Sequence, residues 1–118
     1  MRVKDTVGIY GEQVAAEHLE QAGFVVLERN WRCDIGEIDI VALDGATVVV
    51  CEVKTRSGLG FGSGLDAVTP EKLARLYRLA LRWREQAGRV GAALRVDVIA
   101  VHRLRYKRPQ VVHVRGAQ

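Results

Sequence analysis

Gly36-Glu37-Ile38-Asp39-Ile40-Val41-Ala42-Leu43-Asp44-Gly45-Ala46-Thr47-Val48-Val49-Val50-Cys51-Glu52-Val53-Lys54 holds two apolar runs of strand length around an Asp-Gly pair. Asp-Gly between such runs is a hairpin signal. The strands are expected from Glu37 to Leu43 and from Ala46 to Lys54. Side chains alternate along a strand, so Glu52 and Lys54 share a face with Val48 and Val50. By the same rule Glu37, Asp39 and Val41 share a face. An in-register hairpin then brings Asp39 to the side of Glu52 and Lys54, although register is not written in the sequence.

Two carboxylates and an amine on one hairpin suit phosphodiester cleavage. Mg²⁺ takes hard oxygen ligands in an octahedron and keeps several waters. Asp39, Glu52 and the backbone carbonyl of Val53 are the candidate ligands, with Mn²⁺ as the alternative ion. The ion would acidify a bound water and polarise a phosphate. Lys54 would orient that water, help deprotonate it, or offset charge in the transition state. The same spacing also fits an exposed Glu/Lys pair of little energetic consequence. The residues alone leave both readings open.

Working outward, residues 7–22 carry Val7, Tyr10, Val14, Ala15, His18, Leu19 and Ala22 on one broad helical face. Gln13, Glu17 and Glu20 project opposite, and Glu12 is expected at the rim of the apolar face. Gly23 is a stop signal. Phe24 to Trp31 reads as a strand. After the hairpin, Ser57 to Gly64 is expected to be a flexible loop. Thr69 and Pro70 open a second helix, as N-cap and first-turn residue. Its expected apolar face is Leu73, Leu76, Tyr77, Ala80, Trp83 and Ala87, ending at Gly88. Leu94 to His102 reads as a central strand buried on both faces. Arg103 to Pro109 is a basic loop, and Val111 to Val114 a short edge strand. Residues 115–118 are expected to fray. The order α-β-β-β-α-β-β gives an α/β domain, a mixed sheet flanked by helices, spanning residues 1–118 as one unit.

Charge is unevenly spread. Residues 1–60 hold six Lys/Arg against ten Asp/Glu, and residues 61–118 hold twelve against four. An acidic half that could hold a cation precedes a basic half that could hold a polyanion, which suits nucleic acid; an Arg-rich surface kept for solubility fits equally. Arg75, Arg78 and Arg82 form one helical stripe opposite Leu73, Tyr77 and Ala80, with Lys72 at its border. Phosphate contact and a solvated face both explain the stripe. Arg56 follows Lys54 at the same strand parity and is a further phosphate candidate. No apolar run approaches the ~20 residues of a membrane span, and no apolar core follows the N-terminus, so a cytoplasmic protein is expected.

Other motifs carry less. Gly62-Ser63-Gly64-Leu65-Asp66-Ala67 spells GxGxxA, but no helix starts immediately after it and no Gly-Lys-Ser/Thr follows. A mobile loop flanking the site is the better reading. Cys33 and Cys51 lack CxxC spacing and the histidines are scattered, so zinc is not indicated. Cys51 reads as a small buried hydrophobe, and His18 as a packed, hydrogen-bonded side chain.

Gly36-Glu37-Ile38-Asp39-Ile40-Val41-Ala42 followed by Glu52-Val53-Lys54-Thr55-Arg56 resembles the YraN family of small bacterial proteins. So do Gly11-Glu12-Gln13-Val14-Ala15-Ala16, Arg29-Asn30-Trp31-Arg32, Ala67-Val68-Thr69-Pro70-Glu71-Lys72 and Arg95-Val96-Asp97-Val98-Ile99-Ala100. That family is similar in turn to the restriction-endonuclease-like PD-(D/E)xK superfamily, including archaeal Holliday-junction resolvases. The resemblance implies a restriction-endonuclease-like fold and a Mg²⁺-dependent endonuclease acting on DNA, branched or structured DNA included. It makes Asp39 the metal-binding Asp, Glu52 and Lys54 the ExK pair, and Glu12 the helix carboxylate that completes the site. It also places a basic residue at Lys72. Ile38 stands where many superfamily members carry Pro. A junction has two-fold symmetry, which would call for a homodimer. The alternatives are a binding module on the nuclease fold that does not cut, and an interaction protein whose basic half docks an acidic partner.

Overall fold

The computed structural model describes residues 4–57 and 68–117. The elements are α1 (Thr6–Gln21), β1 (Val25–Cys33), β2 (Gly36–Asp44), β3 (Thr47–Ser57), α2 (Pro70–Gln86), β4 (Leu94–Arg103) and β5 (Gln110–Val114). The α/β order is the one expected. The sheet runs β1-β2-β3-β4-β5. β3 and β4 pair in parallel, from Val48↔Leu94 to Ser57↔Arg103, and the other pairs are antiparallel. The parallel step is made possible by the crossover through α2.

At the β2–β3 hairpin, Asp44 pairs with Thr47. Gly45 takes φ of 59° at the first corner, which a side chain would resist. The segment expected to form a loop up to Gly64 loses Ser57 to β3, and residues 58–67, with the GxGxxA string, lie outside the described residues.

One helix covers each face of the sheet. On the α1 side, Ala15, Ala16 and Leu19 pack with Ile40, Ala42, Val49, Cys51, Ile99 and Val101. On the α2 side, Leu76, Leu79, Ala80 and Trp83 pack with Ile38, Val41, Val48, Val50 and Val96. Each helix therefore buries an i, i+3, i+4, i+7 quartet: Glu12, Ala15, Ala16 and Leu19 in α1, and Leu76, Leu79, Ala80 and Trp83 in α2. This corrects the expected α2 face. Leu79 is core, Ala87 is exposed, and Tyr77 is 38% exposed. Leu73 packs against the α2-side core as expected, whereas Tyr77 and Ala87 lie off the stripe that meets the sheet.

Asp5 caps α1 by accepting the Gly8 N–H at 2.8 Å. Thr69 caps α2 by accepting the Lys72 N–H at 3.2 Å. Gly116 and Ala117 do not fray as expected. The Gly116 N–H donates to Asp97 Oδ1 at 3.0 Å and the Ala117 N–H to the Val96 carbonyl at 2.8 Å. The first bond satisfies a buried carboxylate and the second a strand carbonyl, so both residues are tied to β4.

Candidate active site

The regular β2–β3 pairing runs from Asp44↔Thr47 to Ile40↔Cys51. At Asp39 the alternation of β2 changes phase. Val41 packs on the α2 side, Ile40 and Ala42 on the α1 side, and Ile38 again on the α2 side. The expectation that Glu37, Asp39 and Val41 share one face by simple period two therefore fails at this point. A phase break lets a strand re-aim a side chain, much as a bulge does.

Asp39 is 2% exposed and bridges the two strands. Its Oδ2 accepts the Val53 N–H at 2.8 Å. Its Oδ1 accepts from Lys4 Nζ at 2.7 Å, and the carboxyl of Glu52 lies beside it. Burial pushes the Asp39 pKa up, but the bonds from Glu52, Lys4 and Val53 outweigh it and hold the group below the ordinary carboxylate range.

Glu12 comes from α1. It lies within the buried quartet, at 4% exposed, not at the rim where the helical wheel put it. Gly11 explains the depth. A Cβ on Gly11 would stand 2.8 Å from the Cβ of Thr55, so only glycine lets α1 descend this far onto β3. The Lys4 ammonium contacts Glu12, lies 2.7 Å from Asp39 and reaches Glu37 Oε1 at 3.3 Å. One cation of the chain is thus shared by three carboxylates. Among the described residues, no three His, Cys, Asp or Glu side chains are gathered as a ready-made ion cage.

Glu52 and Lys54 lie on the α2 side of β3, with Lys54 Nζ 3.6 Å from Glu52 Oε2. They open into a cleft of about 520 Å³ whose walls include Glu37, Lys72 and Arg75. Lys54 lowers the pKa of Lys72, first by its charge and then by a hydrogen bond, so the two amines are neighbours. Of the stripe arginines, Arg75 faces this cleft and Arg78 a separate hollow beside Tyr77. Arg82 is paired with Asp34 at 2.7 Å. Arg56 Nη1 donates to the Thr55 carbonyl at 3.1 Å. The side chain of Val53 packs on the α1 side.

The hairpin thus brings Asp39 beside Glu52, and Glu52 beside Lys54, in the cleft that Lys72 and Arg75 also line, whereas Glu12 reaches Asp39 through their shared Lys4 and lines a separate hollow. Sequence reasoning missed Lys4 and passed over Glu37. Glu37 belongs to the same acidic run as Asp39 and could have been included. Lys4 carries no periodic or motif signal.

A second polar network lies on the α1 side. Asp97, fully buried, accepts from Arg95 Nε at 2.9 Å and contacts His113 Nε2 at 2.8 Å. His113 Nδ1 meets His18 Nε2 at 3.1 Å. His18 is therefore packed and hydrogen-bonded, as expected, and burial first, then the charges of His113 and Arg115, push its pKa down. Burial raises the Asp97 pKa, but His113, Arg95 and the Gly116 N–H together bring it down to about 2. Burial also pushes the Cys51 thiol well above its ordinary range, in keeping with a small buried hydrophobe.

Comparison with known proteins agrees along the chain. Residues 11–101 match the family described as uncharacterised protein family UPF0102. A UPF0102 protein of Beutenbergia cavernae is 53% identical over 98% of this chain and 98% of its own. One of Parafrankia sp. is 53% identical over 99% of both chains. One of Frankia alni is 49% identical over 99% of this chain and 98% of its own. With the expected fold observed and the match covering Glu12, Asp39, Glu52, Lys54 and Lys72, the chain belongs to UPF0102, the YraN family.

Proposed function

We propose that this protein is a metal-dependent nuclease that hydrolyses phosphodiester bonds in DNA, with branched or structured DNA as the substrate class. The observation that carries the reading is the position of Asp39 where β2 changes phase, between Glu12 of α1, which shares the Lys4 ammonium with it, and Glu52 of β3. Buried carboxylates need positive charge. The seat among Glu12, Glu37 and Asp39 holds a cation, the Lys4 ammonium. Hard oxygen donors around such a seat fit Mg²⁺ or Mn²⁺. Asp39, Glu52 and Glu12 would hold the ion, with the Val53 carbonyl as a fourth oxygen. A bound divalent cation supplies an acidified water and a polarised phosphate oxygen.

The chain's own residues do the rest. Lys54, beside Glu52, is placed to orient or deprotonate the attacking water and to offset charge on the phosphoryl group. Lys72 and Arg75 flank the same cleft and supply phosphate contacts. Arg56, Arg78 and Arg82 extend the basic surface along β3 and α2. A cytoplasmic setting and a homodimer suit the reading, the latter for a two-fold symmetric junction.

A test incubates the purified protein with branched, single-stranded and duplex DNA plus Mg²⁺ or Mn²⁺. Cleavage that chelation abolishes is expected. No cutting of any substrate, or cutting that survives Asp39→Ala, overturns the reading. The second reading, a module that binds nucleic acid without cutting, is favoured by the ammonium already seated in the cluster. DNA binding without any Mn²⁺ binding by calorimetry would select it.

A further inference from the structure

The Lys4 ammonium has three carboxylate partners, and Asp39 is common to both groups of acids: Glu12 and Glu37 around Lys4, and Glu52 across the strands. We propose that Lys4 is an internal competitor for the divalent cation, and that cation binding requires Lys4 to leave the Glu12–Glu37–Asp39 cluster. The inference rests on the nuclease-type reading of the site.

Charge and geometry support it. A divalent ion in this cluster would draw oxygens to about 2.0–2.1 Å if it is Mg²⁺. An ammonium 2.7 Å from Asp39 Oδ1 and 3.3 Å from Glu37 Oε1 takes up that space. Two cations in a largely buried cluster would repel strongly, because the interior screens them poorly. One must go, and the ammonium has the easier exit.

Lys4 precedes Asp5, whose side chain caps α1 through the Gly8 N–H. Lys4 can therefore withdraw without uncapping the helix. Its side chain is already 15% exposed, beside a hollow of about 270 Å³ lined in part by Ile9, Arg29 and Arg32. Lys54 lies on the other side of β3 with Glu52 and need not move. With Lys4 seated, the three carboxylates share one positive charge without metal. The site is then held in an off state until the cation concentration is high enough to displace the ammonium.

The test uses the full chain. Mn²⁺ binding is measured by calorimetry for the wild type, Lys4→Met, Asp39→Asn and the surface control Lys107→Met. Lys4→Met is expected to tighten Mn²⁺ binding about tenfold, equivalent to the roughly 1.4 kcal/mol that a tenfold change represents. Lys107→Met should leave it unchanged, and Asp39→Asn should abolish it. A second readout avoids the variant: in wild-type protein labelled with ¹⁵N-lysine, Mg²⁺ should shift the Lys4 amide signal and leave that of Lys107 in place. Equal or weaker Mn²⁺ binding by Lys4→Met overturns the competition but leaves the metal site standing. So does an unmoved Lys4 signal at saturating Mg²⁺. Absence of cation binding in every protein overturns both the competition and the metal-dependent reading.

Discussion

Asp39 joins β2 to β3 just beyond their last regular pair, its Oδ2 accepting the Val53 N–H at 2.8 Å. The side chain does there what a backbone carbonyl does in the rest of the ladder. The same carboxylate is offered to the candidate catalytic centre, so its structural and chemical roles can be separated. Asp39→Asn keeps an acceptor for Val53 and removes the charge. We expect it to fold within about 1 kcal/mol of wild type and to lose metal-dependent DNA cleavage by about 100-fold or more. Asp39→Ala leaves the Val53 N–H unpaired and should cost roughly 1–3 kcal/mol in urea unfolding as well. Equal stability of the two variants would show that the Val53 bond contributes nothing.

Lys72 and Arg75 face the cleft, whereas Arg82 lies outside it and is paired with Asp34. Lys72→Ala and Arg75→Ala should each weaken DNA binding and lower the slope of log K against log salt by about 1. Arg82→Ala should change the slope much less. Fluorescence anisotropy titrations from low to high salt check this, and three equal losses would assign the stripe to non-specific charge.

Asp97 makes stability depend on acid. Its folded pKa is held down to about 2, below the unfolded value near 3.9. A depressed carboxylate contributes stability that is full above the unfolded pKa and is lost as pH falls through the folded one. Roughly 2 kcal/mol should therefore disappear between about pH 4 and pH 2. Asp97→Asn should flatten that part of the acid-unfolding profile while lowering stability at neutral pH. An unchanged profile would mean that the Arg95–Asp97–His113 network gives no net stabilisation.

Gly11 is required by contact with Thr55. Gly11→Ala should lower stability by roughly 1–3 kcal/mol despite the better helix propensity of alanine, because α1 must lift off β3. Thr55→Gly should recover much of that loss in the double variant, through the opened space. Thermal unfolding of the four proteins of the cycle measures the coupling. If lifting α1 also withdraws Glu12, Gly11→Ala will weaken Mn²⁺ binding.

Local chemistry made much of this protein legible. Asp-Gly between apolar runs, Thr69-Pro70 at a helix start and the strand parity of Glu52 and Lys54 act within a few residues, so the sequence alone determined the α-β-β-β-α-β-β order and the hairpin on which the candidate site is built. Helix faces were legible only coarsely. A wheel shows where apolar residues lie, but the contact quartets 12/15/16/19 and 76/79/80/83 depend on which stripe meets the sheet, and that placed Glu12 in the interior and exposed Tyr77. Tertiary structure alone decided the phase break at Asp39, the seating of Lys4 among Glu12, Glu37 and Asp39, and the chain from Asp97 through His113 to His18. These join residues far apart in the chain, and no periodicity encodes them. They arise because each buried charge must find a partner wherever the packed layers bring one within reach.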